Sequence, residues 1–368
     1  MGVPERPEEG AVLERRTLNR TLLARQRLLD RVDARPVDVV EHLVGMQAQV
    51  PLDPYVGLWA RLRQFDPAEL GRGLLERRAV RMTLLRATLH LVSSRDALRL
   101  PSALQPMLER AFASSPFARA LTGLDLEPVV ARGVELLEET PLTIAQLRTK
   151  LAPDWPDHDA NALAYAVRHL VPLVQVTPRG VWGARMQPTV TTLSSWVGAE
   201  PNGGSADELV LRYLRAFGPA STADIRAWSW LADVRSIVTR LRPRLCVYRD
   251  EAGCELYDVS DGVFGDPAVP APVRFLPEYD NVFLSHADRS RIMDGVVWGA
   301  AFTHRGTFFV DGFLAGAWKL KQEKRHATLT VELRGRVRQA ERRQVEEEAE
   351  ALLAFLTPEA SSRRLRLE

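Results

Sequence analysis

The sequence predicts an α+β protein: three tandem helix–helix–hairpin units followed by a small antiparallel β-barrel. Three observations carry that expectation. Thr143 to Gly183 reads as a short helix, a connection rich in Pro and Asp, a longer amphipathic helix, and two apolar stretches around Thr177-Pro178-Arg179-Gly180. Ser221 to Tyr257 repeats the order, with a Ser/Thr helix start, a helix carrying Trp228 and Trp230, a second helix ending near Leu241, and a hairpin across Asp250 to Gly253. Beyond residue 259 short apolar stretches alternate with Gly and Asp turns, the texture of a small antiparallel sheet or barrel. Helix, helix and hairpin in that order outline a winged helix-turn-helix, whose second helix and hairpin tend to meet nucleic acid.

Taken along the chain, Leu22 to Leu29 and Val37 to Val44 read as helices, Pro67 to Arg77 as another, and Val80 to Val92 as paired strands, giving a first copy interrupted by the segment His42 to Arg61. Ala97 to Glu138 has helical periodicity, with breaks expected at Pro101, Pro106 and Pro116. Glu200 to Glu208 (EPNGGSADE) is the clearest linker. Strands are expected at Val273 to Leu276, Val282 to Leu284, Gly295 to Phe302, Thr307 to Phe313 and Ala327 to Leu333, and a charged helix at Gln339 to Leu356. The expected division is 1–96, 97–200, 201–258 and 259–368.

With 368 residues, 46% of them apolar, the chain can bury a substantial core. No stretch approaches the length of a membrane-spanning helix, and Met1 to Gly10 is polar and acidic rather than leader-like, so a cytoplasmic protein with no membrane partner is expected. Cys246 and Cys254 are too few for a disulfide framework or a cysteine zinc site and read as small apolar strand residues. The seven histidines show no ligand spacing, so neither a metal nor any other cofactor is expected. Lysine is rare: four lysines stand against 45 arginines. Arginine's planar fork suits phosphates and base edges, although a GC-rich genome produces the same bias. The net charge of +2 does not by itself demand a polyanion.

The most informative segment is HLVGMQAQVPLDPYVGLWAR, with Gln47 and Gln49 one residue apart before Pro51 and Pro54. Two such amides face the same way only on an extended backbone; on a helix they diverge. Together with LLRATLHLVS (Leu84 to Ser93), LPEYDNVFLSHADRSRI (Leu276 to Ile292) and FFVDGFLAGAWKL (Phe308 to Leu320), this segment resembles the AlkZ/YcaQ family of bacterial DNA glycosylases, in its Gln-x-Gln branch. The likeness runs from the first eighth of the chain to its last sixth.

The resemblance implies three winged-helix units and a β-barrel around an open DNA-binding cleft, and a monomer acting on double-stranded DNA that contains alkylated purines. It implies a monofunctional glycosylase for N7-alkylated guanine, including bulky natural-product adducts and interstrand crosslinks, in DNA repair or antibiotic self-resistance. Gln47 and Gln49 are its catalytic candidates; an arbitrary QxQ would only cap a helix and bond loop backbone. Arg61, Arg86, Thr88, His90, Arg179, Arg289 and Arg291 are the DNA-binding candidates; for Arg61, Arg179, Arg289 and Arg291 the alternative is a surface charge, and for His90 a structural histidine. The tryptophans Trp155, Trp182, Trp196, Trp228, Trp230, Trp298 and Trp318 read as core. A winged-helix transcriptional regulator, or an architectural protein that binds DNA without chemistry, is the alternative.

Overall fold

The computed structural model describes residues 6–296, 299, 302–335 and 337–368. Among these, three sheets organise the chain. The largest has six strands in the order Met46–Gln47, Leu89–Ser93, Ala79–Thr83, Leu173–Gln175, Thr189–Thr192, Leu142–Thr143, all antiparallel. The hairpin of the first expected unit therefore continues edge to edge into the strands of the second, through the pairs Arg81↔Gln175 and Met82↔Val174.

The helices begin where hydroxyls or carboxylates can satisfy their free N–H groups. Ser93 Oγ caps Ser94–Ala113, Ser205 caps Ala206–Phe217, and reciprocal boxes Thr143/Gln146 and Ser221/Asp224 start Ile144–Leu151 and Thr222–Ser229. Ala160–Leu170 and Val234–Leu241 complete the two helix pairs, and the latter leads into the hairpin Leu245–Asp250/Glu255–Val259. Val12–Leu13 adds to that hairpin as a parallel third strand.

Several expectations are corrected. Pro101 and Pro106 lie inside one helix, Ser94–Ala113, which buries Leu100, Leu104, Met107 and Leu108; the burial of this face offsets the two lost backbone bonds. The first helix is Arg15–Arg25, earlier than its apolar pattern indicated, because Arg20 and Arg25 are buried against Asp311 and Asp258 rather than solvated. Val282 to Leu284 is a helical turn, Asn281–Leu284, started by the Asp280 carboxylate accepting from Val282 N at 3.0 Å. The stretch expected at Gly295 to Phe302 falls largely on residues outside those described, as does Trp298.

The C-terminal strands form an open sheet instead of a barrel. Its order is Arg274–Leu276, Gly306–Val310, Phe313–Glu323, His326–Leu333, Ser362–Leu367, and the last pair is parallel. The helix Gln339–Leu356 packs Val345, Ala349, Leu352 and Leu353 onto Phe275, Phe308, Leu329 and Val331. A helix thus covers the apolar face, and the sheet need not curl on itself to bury it. No helix among the described residues is long and apolar enough to cross a membrane.

Candidate active site

The glutamine segment is extended because of the turn that precedes it. After the helix Pro36–His42, Val44 and Gly45 adopt φ of 56° and 92° and redirect the chain. A Cβ on Gly45 would stand 2.8 Å from Val92 Cγ1, so only glycine lets the following strand approach. Met46–Gln47 then pairs with the hairpin through Met46↔Leu91 and Gln47↔His90, and Ala48 N–H continues the ladder to the Leu89 carbonyl at 2.8 Å. Arg81 holds the same segment by donating from Nη2 to the Ala48 carbonyl at 2.6 Å.

Both carboxamide oxygens turn to the hairpin tip. Gln47 is 7% exposed, and its Oε1 accepts from Arg86 Nη2 at 3.1 Å, with Thr88 Oγ1 at 3.4 Å. Gln49 is solvent-exposed, and its Oε1 accepts from Leu89 N–H at 3.3 Å. The tip itself is tightly wound. Arg86 and Ala87 are left-handed, at φ 56° and 55°, and Leu84 N–H donates to the Thr88 carbonyl. From there Arg86 also reaches the Trp228 carbonyl at 2.7 Å, so one guanidinium joins the glutamine strand to the helix Thr222–Ser229.

The electrostatics around the pair are those of buried groups. Burial lowers Arg86 to about 10, leaving it cationic at neutral pH while it donates to two neutral oxygens. His90 is pushed down to about 3 by burial and by the Arg86 charge. It is neutral, with Nδ1 donating to the Thr88 carbonyl at 2.9 Å. Arg81 is lowered to about 10 by burial and by neighbouring Arg179.

The structure brings Gln47, Gln49, Arg86, Thr88 and His90 together and separates the rest. His90 is buried and uncharged, with its ring bonded to the Thr88 carbonyl. Arg61 is completely buried in a bidentate pair with Asp280, both bonds 2.8 Å, and also donates to the Gln26 and Gly57 carbonyls. Arg291 is buried and donates to the Pro219 carbonyl at 2.9 Å. Neither guanidinium is free for a phosphate, because each is needed to satisfy interior oxygens. Arg289 is half-buried and bonds the Phe283 carbonyl, and Arg179 is half-buried on the loop after Leu173–Gln175, donating to the Met186 carbonyl.

Three features escaped sequence reasoning. Arg81 resembles any strand cation, and only the fold shows it reaching across to Ala48. Asp53, at the start of the helix Asp53–Trp59, is buried with Oδ2 unpartnered; burial, then Glu278 and Asp280, raise its carboxyl to about 7. Trp230, expected in the core, is half-exposed, unlike buried Trp228 and Trp318. A Ser-Trp-Leu-Ala sequence at a helix end carries no signal of that exposure.

The model of the family described as DNA glycosylase AlkZ-like matches residues 40–355. Among solved structures, the chain is similar to the Streptomyces sahachiroi DNA glycosylase AlkZ, with a TM-score of 0.73 at 20% sequence identity, covering 97% of this chain and 100% of that one. At that identity the likeness speaks for the fold. No curated protein sequence matches the chain.

Proposed function

The chain belongs to the AlkZ-like DNA glycosylase family, and from that premise we propose that it is a monofunctional enzyme excising N7-alkylated guanine from double-stranded DNA with Gln47 and Gln49 as its catalytic pair. Bulky natural-product adducts and interstrand crosslinks are within its range, in repair or in self-resistance to a genotoxin. The observation that carries this reading is the convergence of both carboxamide oxygens on one hairpin tip, with Gln47 held by a cation and Gln49 open to solvent.

Ordinary glycoside hydrolysis needs an acid to protonate the leaving group and a carboxylate to activate water or attack. Alkylation at N7 removes the first need, because the base already carries positive charge. As the C1′–N9 bond breaks, its electron pair neutralises the base, which leaves as a neutral molecule. Water bonds to C1′ and its proton passes to solvent. What the protein must supply is orientation of that water and a fixed dipole toward the sugar's developing cation.

Gln49 Oε1 uses one lone pair on Leu89 N–H and has a second for the attacking water. Gln47 is differently placed. Its oxygen is occupied by Arg86, so its Nε2 hydrogens are the free end, suited to hold the sugar or the same water. The three helix–helix–hairpin segments serve as winged-helix units, with Arg86, Thr88 and Arg179 as the DNA-facing candidates that remain, and the enzyme acts as a monomer.

The test is a duplex carrying a single N7-methylguanine, incubated with the purified chain and heated in alkali. A strand break at that position is expected without added metal or cofactor. A protein that shifts a particular DNA sequence but leaves the modified strand intact is a regulator instead.

A further inference from the structure

Among the described residues, one large aromatic side chain stands in a position that packing does not explain. Trp230 follows the helix Thr222–Ser229 at φ 57° and is 50% exposed, although Trp228, two residues earlier, is buried. A left-handed residue after a helix is ordinarily glycine, because a Cβ there is strained. Here the bulkiest side chain occupies it and faces water. Such strain without burial points to a role at the surface.

Its surroundings are specific. Trp230 lines a depression of about 310 Å³ together with Met107, Arg110, Ala111, Ser114 and Arg226. Arg110 Nη2 donates to the Trp230 carbonyl at 3.2 Å, and both arginines are exposed. No carboxylate lines the depression. An aromatic face with apolar flanks and two uncompensated cations at its rim matches a flat ring carried on a polyanion.

The depression also adjoins the glutamine site. Its residues come from two helices, Ser94–Ala113 and Thr222–Ser229 with its cap, and the hairpin tip Leu85–Ala87 packs against both. Arg86 at that tip grips the Trp228 carbonyl with one nitrogen and Gln47 with the other. This arginine links the glutamine to the helix that ends at Trp230.

We propose that Trp230 is a stacking platform, flanked by Arg110 and Arg226, for a planar aromatic ring of damaged DNA displaced beside the active site. The ring is either a nucleobase pushed from the helix or the aromatic part of a bulky adduct. This inference rests on the DNA glycosylase reading above.

The experiment compares the full chain with its Trp230→Ala and Trp230→Phe variants on duplexes carrying one N7-methylguanine or one N7-benzylguanine. Stacking on one base corresponds to about 5- to 150-fold, so Trp230→Ala should lose at least about 5-fold in kcat/KM, with Trp230→Phe near the parent and the thermal midpoint unchanged. Loss on both substrates identifies the displaced base; loss on the benzyl substrate alone identifies the adduct. Equal activity of Trp230→Ala and the parent on both overturns the proposal. If the parent cleaves neither substrate, the catalytic reading fails separately. The platform is then read from affinity for a duplex with an unpaired bubble: weaker binding by Trp230→Ala supports it, and equal binding overturns it.

Discussion

Arg86 Nη2 donates to Gln47 Oε1 across 3.1 Å, and through this bond a half-buried cation fixes which end of the Gln47 carboxamide faces inward. A neutral amide has no preferred end of its own; the guanidinium supplies one. The two residues come from different turns of the chain, a two-residue strand and a left-handed hairpin tip, and the antiparallel register Gln47↔His90 is what sets them opposite each other.

Replacing Arg86 with Met should therefore lower single-turnover excision of N7-methylguanine by about 10- to 100-fold, the scale of a lost preorganised donor. Duplex affinity should fall far less. A variant that excises at the parental rate would show that Gln47 needs no such anchor.

The Arg61–Asp280 pair, fully buried on both sides, predicts a stability effect rather than a binding effect. Asp280→Ala leaves the Arg61 guanidinium uncompensated in the interior and should cost about 3–5 kcal/mol in urea unfolding. If the variant instead kept its stability and lost only salt-sensitive DNA affinity, Arg61 would have to contact phosphate after all.

Asp53 predicts a pH dependence with an unusual sign. Its carboxyl is raised from 3.8 to about 7, so between these values the folded protein keeps a proton that the unfolded chain has released. The stability tied to this group is complete below the lower value and is lost as pH climbs to the upper one. Asp53→Asn should match the parent near pH 4 and become more stable than it by pH 8, by up to ~4 kcal/mol. A stability difference independent of pH would contradict the burial of this carboxyl.

Lysine placement predicts hydrolysis without strand nicking. The four lysines are Lys150, Lys319, Lys321 and Lys324, and none lies on the strands or the hairpin tip that carry the glutamines. Borohydride should trap no covalent complex with DNA, since none of these lysines lies on the elements that carry the glutamines. A trapped species would require a lysine brought to the site from elsewhere.

The parts of this fold that were legible in the sequence are those with local causes. The hairpin Leu245–Asp250/Glu255–Val259 follows from apolar strands on either side of an Asp-Gly turn, and the helix Gln339–Leu356 from its charge and periodicity. The extended backbone at Met46–Gln47 followed from requiring both amides to face one way. What stayed hidden depends on partners distant in sequence. Arg20, Arg25, Arg61 and Arg291 look like surface cations until Asp311, Asp258, Asp280 and Pro219 arrive from elsewhere in the chain. The strand Ser362–Leu367, alternating with arginines at an exposed edge, gave too weak a pattern to be read.

The most direct measurement is single-turnover excision of N7-methylguanine by Gln49→Ala beside the parent, with duplex affinity determined for both. On the proposed role of Gln49, loss of its carboxamide oxygen should slow excision by at least about tenfold while DNA affinity stays the same. Excision at the parental rate would remove Gln49 from the chemistry and, with it, the proposal that a carboxamide pair suffices for a base that is already cationic.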